Sequence, residues 1–136
     1  MVHQFNAHVR FSEVDLIGLI HNPNYLIYFE EARIDLVKKN NYPHKQLLKD
    51  GITVPIYEYK VQILKPLEYD EEIVVNVTVG FIKNFSFQVK YVIEKKSNII
   101  VCKGYTNHTV LSIKTKEFQA MPDKFISIIS KYIEKK

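Results

Sequence analysis

Apolar and polar residues alternate at the start of the chain. Phe5, Ala7, Val9 and Phe11 are apolar, and Gln4, Asn6, His8 and Arg10 between them are polar. Period two predicts a half-buried strand over residues 5–11. The pattern then changes. Tyr25, Phe29, Ala32 and Leu36, with Leu26 beside them, recur at helical spacing among Glu30, Glu31, Arg33 and Asp35, which predicts a helix over 25–39. Residues 40–53, with Asn40-Asn41, Pro43 and Asp50-Gly51, read as a loop with a short helical turn.

After Gly51 the period returns to two. Tyr57, Tyr59, Val61 and Ile63 mark one strand, Ile73 to Val79 a second, and Phe85 to Ile93 a third. Lys95-Lys96-Ser97-Asn98 is a hairpin turn, and 99–113 a last long strand with Gly104 as its bulge. Pro122 opens a terminal helix with Asp123 beside it and Phe125, Ile128, Ile129 and Tyr132 on its apolar face; lysines close it. Strand, helix, four strands, helix in 136 residues predicts one α+β domain over 1–136: a five-stranded antiparallel sheet wrapped around one long helix, plus a C-terminal helix. So small a domain has no second layer for its sheet edges, so a homo-oligomer is expected.

Composition narrows the classes. Hydrophobic residues at 46% and charged residues at 25% suit a globular protein, and no apolar run is long enough to span a bilayer. The first ten residues, MVHQFNAHVR, lack the apolar core of a signal peptide, and the lone Cys102 permits no internal disulfide; both fit the cytoplasm. The net charge of +4 comes from scattered lysines, so a nucleic-acid partner is not expected. The five histidines and Cys102 have no metal-ligand spacing, and no Walker loop, G-x-G-x-x-G or G-x-S-x-G is present. Neither a metal nor a cofactor is expected.

The candidate chemistry lies in DLIGLIHNPNY, residues 15–25. Pro23 suits the first helical position, Asn22 the N-cap, and Gly18 a sharp turn leading into them. A helix start presents unpaired N–H groups and partial positive charge, which would stabilise the oxyanion formed when a carbonyl is attacked. Asp15, on the adjoining turn, could serve as general base or nucleophile, with His21 and the Asn22 side chain adding hydrogen bonds. The plainer reading is an Asp that hydrogen-bonds its own turn and an Asn that only caps.

The stretch VRFSEVDLIGLIHNPNYLIYFEEAR, 9–33, resembles the signature of the hotdog-fold acyl-CoA thioesterases, specifically the 4-hydroxybenzoyl-CoA and tol-pal-associated thioesterase group. The matching positions are Asp15, Gly18, His21, Asn22, Tyr25 and Phe29-Glu30-Glu31-Ala32-Arg33. KPLEYDEEIVV, KNFSFQVKYVI and Met121-Pro122 extend the likeness over nearly the whole chain, with Tyr69 where glycine is usual. The tol-pal-associated members usually carry Tyr-His where this chain has His21-Asn22. The resemblance implies hydrolysis of an acyl-CoA, with Asp15 as the catalytic carboxylate and the Asn22 N–H as donor to the thioester carbonyl. It leaves the role of His21 open. It further implies Gly18 and Tyr25 against the substrate, Lys83 and Ser86 near the CoA phosphates or pantetheine arm, and a dimer or tetramer of paired dimers. An acyl-ACP thioesterase and a non-catalytic acyl-CoA-binding relative are the alternatives. Glu31 reads as structural, paired with a basic neighbour.

Overall fold

The computed structural model describes residues 1–135. Strands β1 (His3–His8), β3 (Ile56–Ile63), β4 (Glu72–Ile82), β5 (Ser86–Lys95) and β6 (Ile100–Thr109) form one antiparallel sheet in the order β1-β4-β5-β6-β3. Helix α1 (Pro23–Lys39) lies on one face of it. Helix α2 (His44–Lys49) follows, and α3 (Asp123–Ser130) completes that layer. Two short strands, β2 (Ile52–Thr53) and β7 (Leu111–Ser112), pair separately.

The helical stripe is buried as its spacing requires: Tyr25, Phe29, Ala32 and Leu36 all lie in the core, with Tyr28. They meet the inward residues of the strands, Ile73, Val75, Val77 and Val79 on β4 and Phe87, Val89, Tyr91 and Ile93 on β5. Each such side chain withdrawn from water contributes about 1.5–3 kcal/mol. Cys102 is buried here, and burial pushes its thiol up to about 12, as expected of a small unreactive hydrophobe.

Four local expectations are corrected. The first strand ends at His8, and pairing stops after Val9; the Glu13 carboxylate accepts the Arg10 N–H at 2.8 Å and bends the chain off the sheet into a 3-10 turn at Phe11–Glu13. Phe11 therefore points outward, edge-on to Tyr69 at 5.7 Å, instead of joining the core. The last strand is two: it breaks at Val110, where the chain leaves the main sheet to pair with β2. Gly104 is not a bulge, since its register with Val61 and Tyr91 is regular. A Cβ there would lie 2.2 Å from the Lys60 carbonyl and 2.6 Å from the Phe29 ring, so the position is a close approach of helix to sheet. Register shifts occur instead between Val79 and Phe81, Ile93 and Glu94, and Ile56 and Glu58. Fourth, Pro122 caps α3 instead of opening it, and Asp123 is the first helical residue.

Beyond α3, the Val79 N–H donates to Tyr132 O and the Glu134 N–H to Val79 O, extending the sheet edge where β1 runs out. Lys136, the last of the closing lysines, lies outside the described residues. No helix among the described residues is long and apolar enough to cross a membrane.

Candidate active site

The strand-to-helix connection is a small hairpin. Val14 bridges Ile20, the Asp15 N–H donates to Leu19 O, and the His21 N–H donates to Glu13 O. Gly18 sits at the tip with φ +81°, the left-handed region that a side chain disfavours. The Asp15 carboxylate spans the tip: its Oδ1 accepts the Ile17 N–H at 2.9 Å and the Leu19 N–H at 3.1 Å. The plainer role expected of this Asp is thus real, yet it uses one oxygen, and Oδ2 has no partner among the described residues. A shallow depression surrounds the carboxylate, lined by Phe11, Val14, Leu16, Ile17 and His21. Phe11, Leu16 and Ile17 are 77%, 106% and 78% exposed, an apolar rim with nothing over it in the single chain.

Two contacts tie this hairpin to α1, and neither was anticipated from the sequence. Glu13 is buried, and its Oε1 accepts the Tyr28 hydroxyl at 2.6 Å. Burial, then that acid, push the Tyr28 phenol well above the tyrosine range. The Asn24 amide donates to both Glu13 O and His21 O at 3.2 Å. Asn24, not Asn22, is therefore the clasping side chain. Asn22 occupies the N-cap position, but with φ −51° and ψ −41° it is already helical and makes no side-chain cap; a capping side chain needs an extended backbone.

That correction sharpens the donor inventory at the helix start. His21 N–H is used by Glu13, Pro23 has none, Asn24 N–H goes to His21 O, and Tyr25 N–H goes to Asn22 O. Among the described residues the Asn22 N–H has no acceptor, one residue from His21 in the wall of the Asp15 depression.

The other expected site residues are dispersed. Tyr25 lies in the core, where burial raises its phenol against an opposing backbone hydrogen bond from Leu67. Lys83 and Ser86 share the β4–β5 turn, with the Lys83 N–H donating to Ser86 O at 2.7 Å and the Lys83 ammonium 4.7 Å above the Phe81 ring. They line a second depression with Tyr57, Phe85 and Phe118. Leu19, which pairs with Asp15 in the hairpin, bridges Glu68 just before β4 begins, whereas Lys83 follows the far end of β4, a strand about 35 Å long. A single chain does not bring them together. Glu31 pairs with Arg10 at 3.2 Å, as its structural reading expected.

A buried polar chain was also missed, because its members are apart in sequence and meet only across strands. Arg33 Nη1 donates to Tyr91 Oη at 3.2 Å, Tyr91 Oη lies 2.7 Å from Thr106 Oγ1, and Thr106 lies 2.8 Å from His108 Nε2. His108 Nδ1 then reaches Val54 O at 2.8 Å. Arginine only donates and a carbonyl only accepts, so every proton in the chain is assigned: Tyr91 donates to Thr106, Thr106 donates to Nε2, and His108 is the Nδ1–H tautomer. Burial, with the Arg33 charge added, lowers the His108 pKa to about 4; the bond to Val54 opposes the shift. The folded pKa lies below the unfolded value of about 6.5, so unfolding takes up a proton between those pH values and stability falls as pH falls through that window. The loss approaches about 3 kcal/mol by pH 4. Urea midpoints should drop steeply from pH 6.5 to 4, and His108→Asn should flatten that slope. An equally steep slope in the variant would assign the effect to other groups.

An antiparallel five-stranded sheet wrapped around one long helix is the hotdog fold. The chain belongs to the Thioesterase-like superfamily, whose family model matches residues 9–129. It is 27% identical over 125 residues to the "Putative esterase" of Aquifex aeolicus (strain VF5), covering 92% of this chain and 95% of that one. It is 28% identical over 119 residues to the "Putative acyl-CoA thioesterase YneP" of Bacillus subtilis (strain 168), covering 85% and 86%. A crystal structure of an Aquifex aeolicus protein superposes with TM-score 0.85 at 27% identity, over 93% of this chain and 98% of that one. The 1,4-dihydroxy-2-naphthoyl-CoA thioesterase of Synechocystis shares the fold, with TM-score 0.89 at 15% identity over 96% of each chain. The protein is a thioester hydrolase.

Proposed function

We propose that the substrate is an acyl-CoA and that the Asp15 hairpin and the start of α1 form its catalytic centre. The observation that carries this is the unspent Asn22 N–H at a helix start adjoining a carboxylate with one free oxygen. The thioester carbonyl accepts from Asn22, which stabilises negative charge as the carbon becomes tetrahedral. Asp15 Oδ2 either takes a proton from the attacking water or attacks the carbon itself, with water then cleaving the anhydride. The C–S bond breaks, CoA leaves as the thiol, and the acid is released. Pro23 supports the arrangement by removing a competing N–H. The names of the relatives, acyl-CoA thioesterase and 1,4-dihydroxy-2-naphthoyl-CoA hydrolase, support CoA as the carrier. Within the superfamily the 9–33 motif favours the 4-hydroxybenzoyl-CoA and tol-pal-associated group.

The working form is a homo-oligomer in this proposal. The apolar rim of the Asp15 depression is uncovered, and Lys83 and Ser86 are too distant to serve the same chain's Asp15. The edge strand β3 also leaves Tyr57, Tyr59 and Ile63 exposed. A second copy would cover these surfaces and carry its Lys83 to the first copy's Asp15.

The test is thiol release from a panel of aliphatic and aromatic acyl-CoAs beside matched acyl-ACPs. Turnover of the CoA esters is expected. CoA binding without turnover would overturn the catalytic assignment, and strong preference for ACP would overturn the carrier. Lys83→Ala should raise KM for CoA substrates about tenfold while changing kcat less, the loss expected for one charge-assisted phosphate contact. An unchanged KM removes Lys83 from the site.

A further inference from the structure

A second, predominantly apolar space lies away from Asp15. A cavity of about 240 Å³ lies among the second half of α1, α2, α3 and the sheet, lined by Val37, Val54, Phe87, Phe125 and Ile129, with Arg33 in its wall. None of its lining residues belongs to the depression around Asp15. Arg33 is eleven residues beyond Asn22 on α1, about 16 Å along the axis. At about 30 Å³ per water-sized group, the cavity has room for about eight such groups in a row or cluster.

Arg33 gives this apolar space its chemical preference. The guanidinium has five N–H donors, and one is used, on the Tyr91 hydroxyl. Arg33 forms no ion pair with any carboxylate among the described residues. The Tyr91–Thr106–His108 chain ends on the Val54 carbonyl, and Val54 itself lines the cavity. Val54 O already accepts from His108, while four of the five Arg33 donors have no partner among the described residues. His108 stacks flat on Phe87 at 4.8 Å, which fixes the opposite wall. The result is a largely apolar pocket whose polar lining includes His44, Thr53 and Arg33, the last with no ion pair among the described residues.

We propose that this cavity is a binding site for a medium-chain aliphatic carboxylate, its hydrocarbon in the cavity and its carboxylate on Arg33. An unpaired guanidinium in an apolar wall selects an anion, and a planar fork matches a carboxylate best. The ligand belongs to the chemical class that thioester hydrolysis releases, so the site fits a retained product or feedback ligand. The binding claim stands apart from the assignment of the catalytic residues.

The experiment is calorimetric titration of the purified full-length protein with butyrate, hexanoate, octanoate, decanoate and octanol. One octanoate per chain is expected, with affinity rising about fourfold per methylene up to eight carbons and levelling beyond. Octanol should bind at least tenfold more weakly. Arg33→Gln should reduce octanoate to the level of octanol and leave octanol unchanged, and Ile129→Trp, which fills the cavity, should abolish both. Equal affinity of octanoate and octanol for the unmodified protein would overturn the proposal, whatever the variants do. So would octanoate binding that survives Arg33→Gln or disappears in Asp15→Asn. A protein that binds octanoate in this pattern but hydrolyses no thioester leaves this site standing and removes only the catalytic reading.

Discussion

Asp15→Asn should lower kcat for acyl-CoA hydrolysis by about 10²–10⁴-fold, the range for loss of a positioned general base, while leaving the melting temperature within a few degrees of the parent. The substitution is chosen for its geometry. An Asn side-chain carbonyl can accept the same Ile17 and Leu19 N–H bonds that Asp15 Oδ1 accepts, so the hairpin keeps its tie. Only the charge and the free Oδ2 are lost. Asp15→Ala would remove the tie as well, and a rate loss there would confound chemistry with hairpin disorder. Stopped-flow thiol release together with thermal denaturation separates the two. Near-parental turnover in a folded Asp15→Asn protein would sink the catalytic assignment. A loss confined to KM would make Asp15 a binding residue.

The largest stability effect is expected at Gly104. Gly104→Ala places a methyl 2.2 Å from the Lys60 carbonyl and 2.6 Å from the Phe29 ring. The first neighbour is the backbone of the adjoining strand, which cannot rotate away. The second is a ring stacked flat on Tyr91 at 4.2 Å and buried on all sides. Overpacking of this kind costs about 1–3 kcal/mol, and more where backbone must move. We expect at least 3 kcal/mol from urea denaturation. Because Phe29 sits between the helix start and Arg33, the same shift should disturb both ends of α1. A loss below 1 kcal/mol would mean that the helix rides more loosely on the sheet than the packing indicates.

Much of the architecture is legible in the sequence because burial imposes periodicity. Tyr25, Phe29, Ala32 and Leu36 could face one core only as a helix, and Ile73 to Val79 only as a strand. The legible part of the site is equally local: Gly18 and Asp15 are a turn, and Pro23 a helix start, whatever surrounds them. What was misjudged depends on neighbours distant in sequence. Phe11 fits an alternating strand, yet Glu13 breaks the alternation through a buried carboxylate whose partner, Tyr28, is fifteen residues on. Asn22 looks like a cap by residue type, but its backbone angles come from the hairpin behind it, and Asn24 does the clasping.

The sequence alone determined the order of the elements, the long amphipathic helix, and a carboxylate three residues before a glycine at that helix's start. Those follow from interactions within a few residues, which the chain carries wherever it goes. Only the tertiary structure decided that the Asn22 N–H is the donor left unspent. Only it decided that Lys83 and the Asp15 hairpin fall at opposite ends of β4, that Gly104 is where helix meets sheet, and that Arg33 lies in a cavity wall with no ion pair among the described residues. Each of these depends on what occupies the space beside a residue, and that is settled by the packing of strands and helices from opposite ends of the chain.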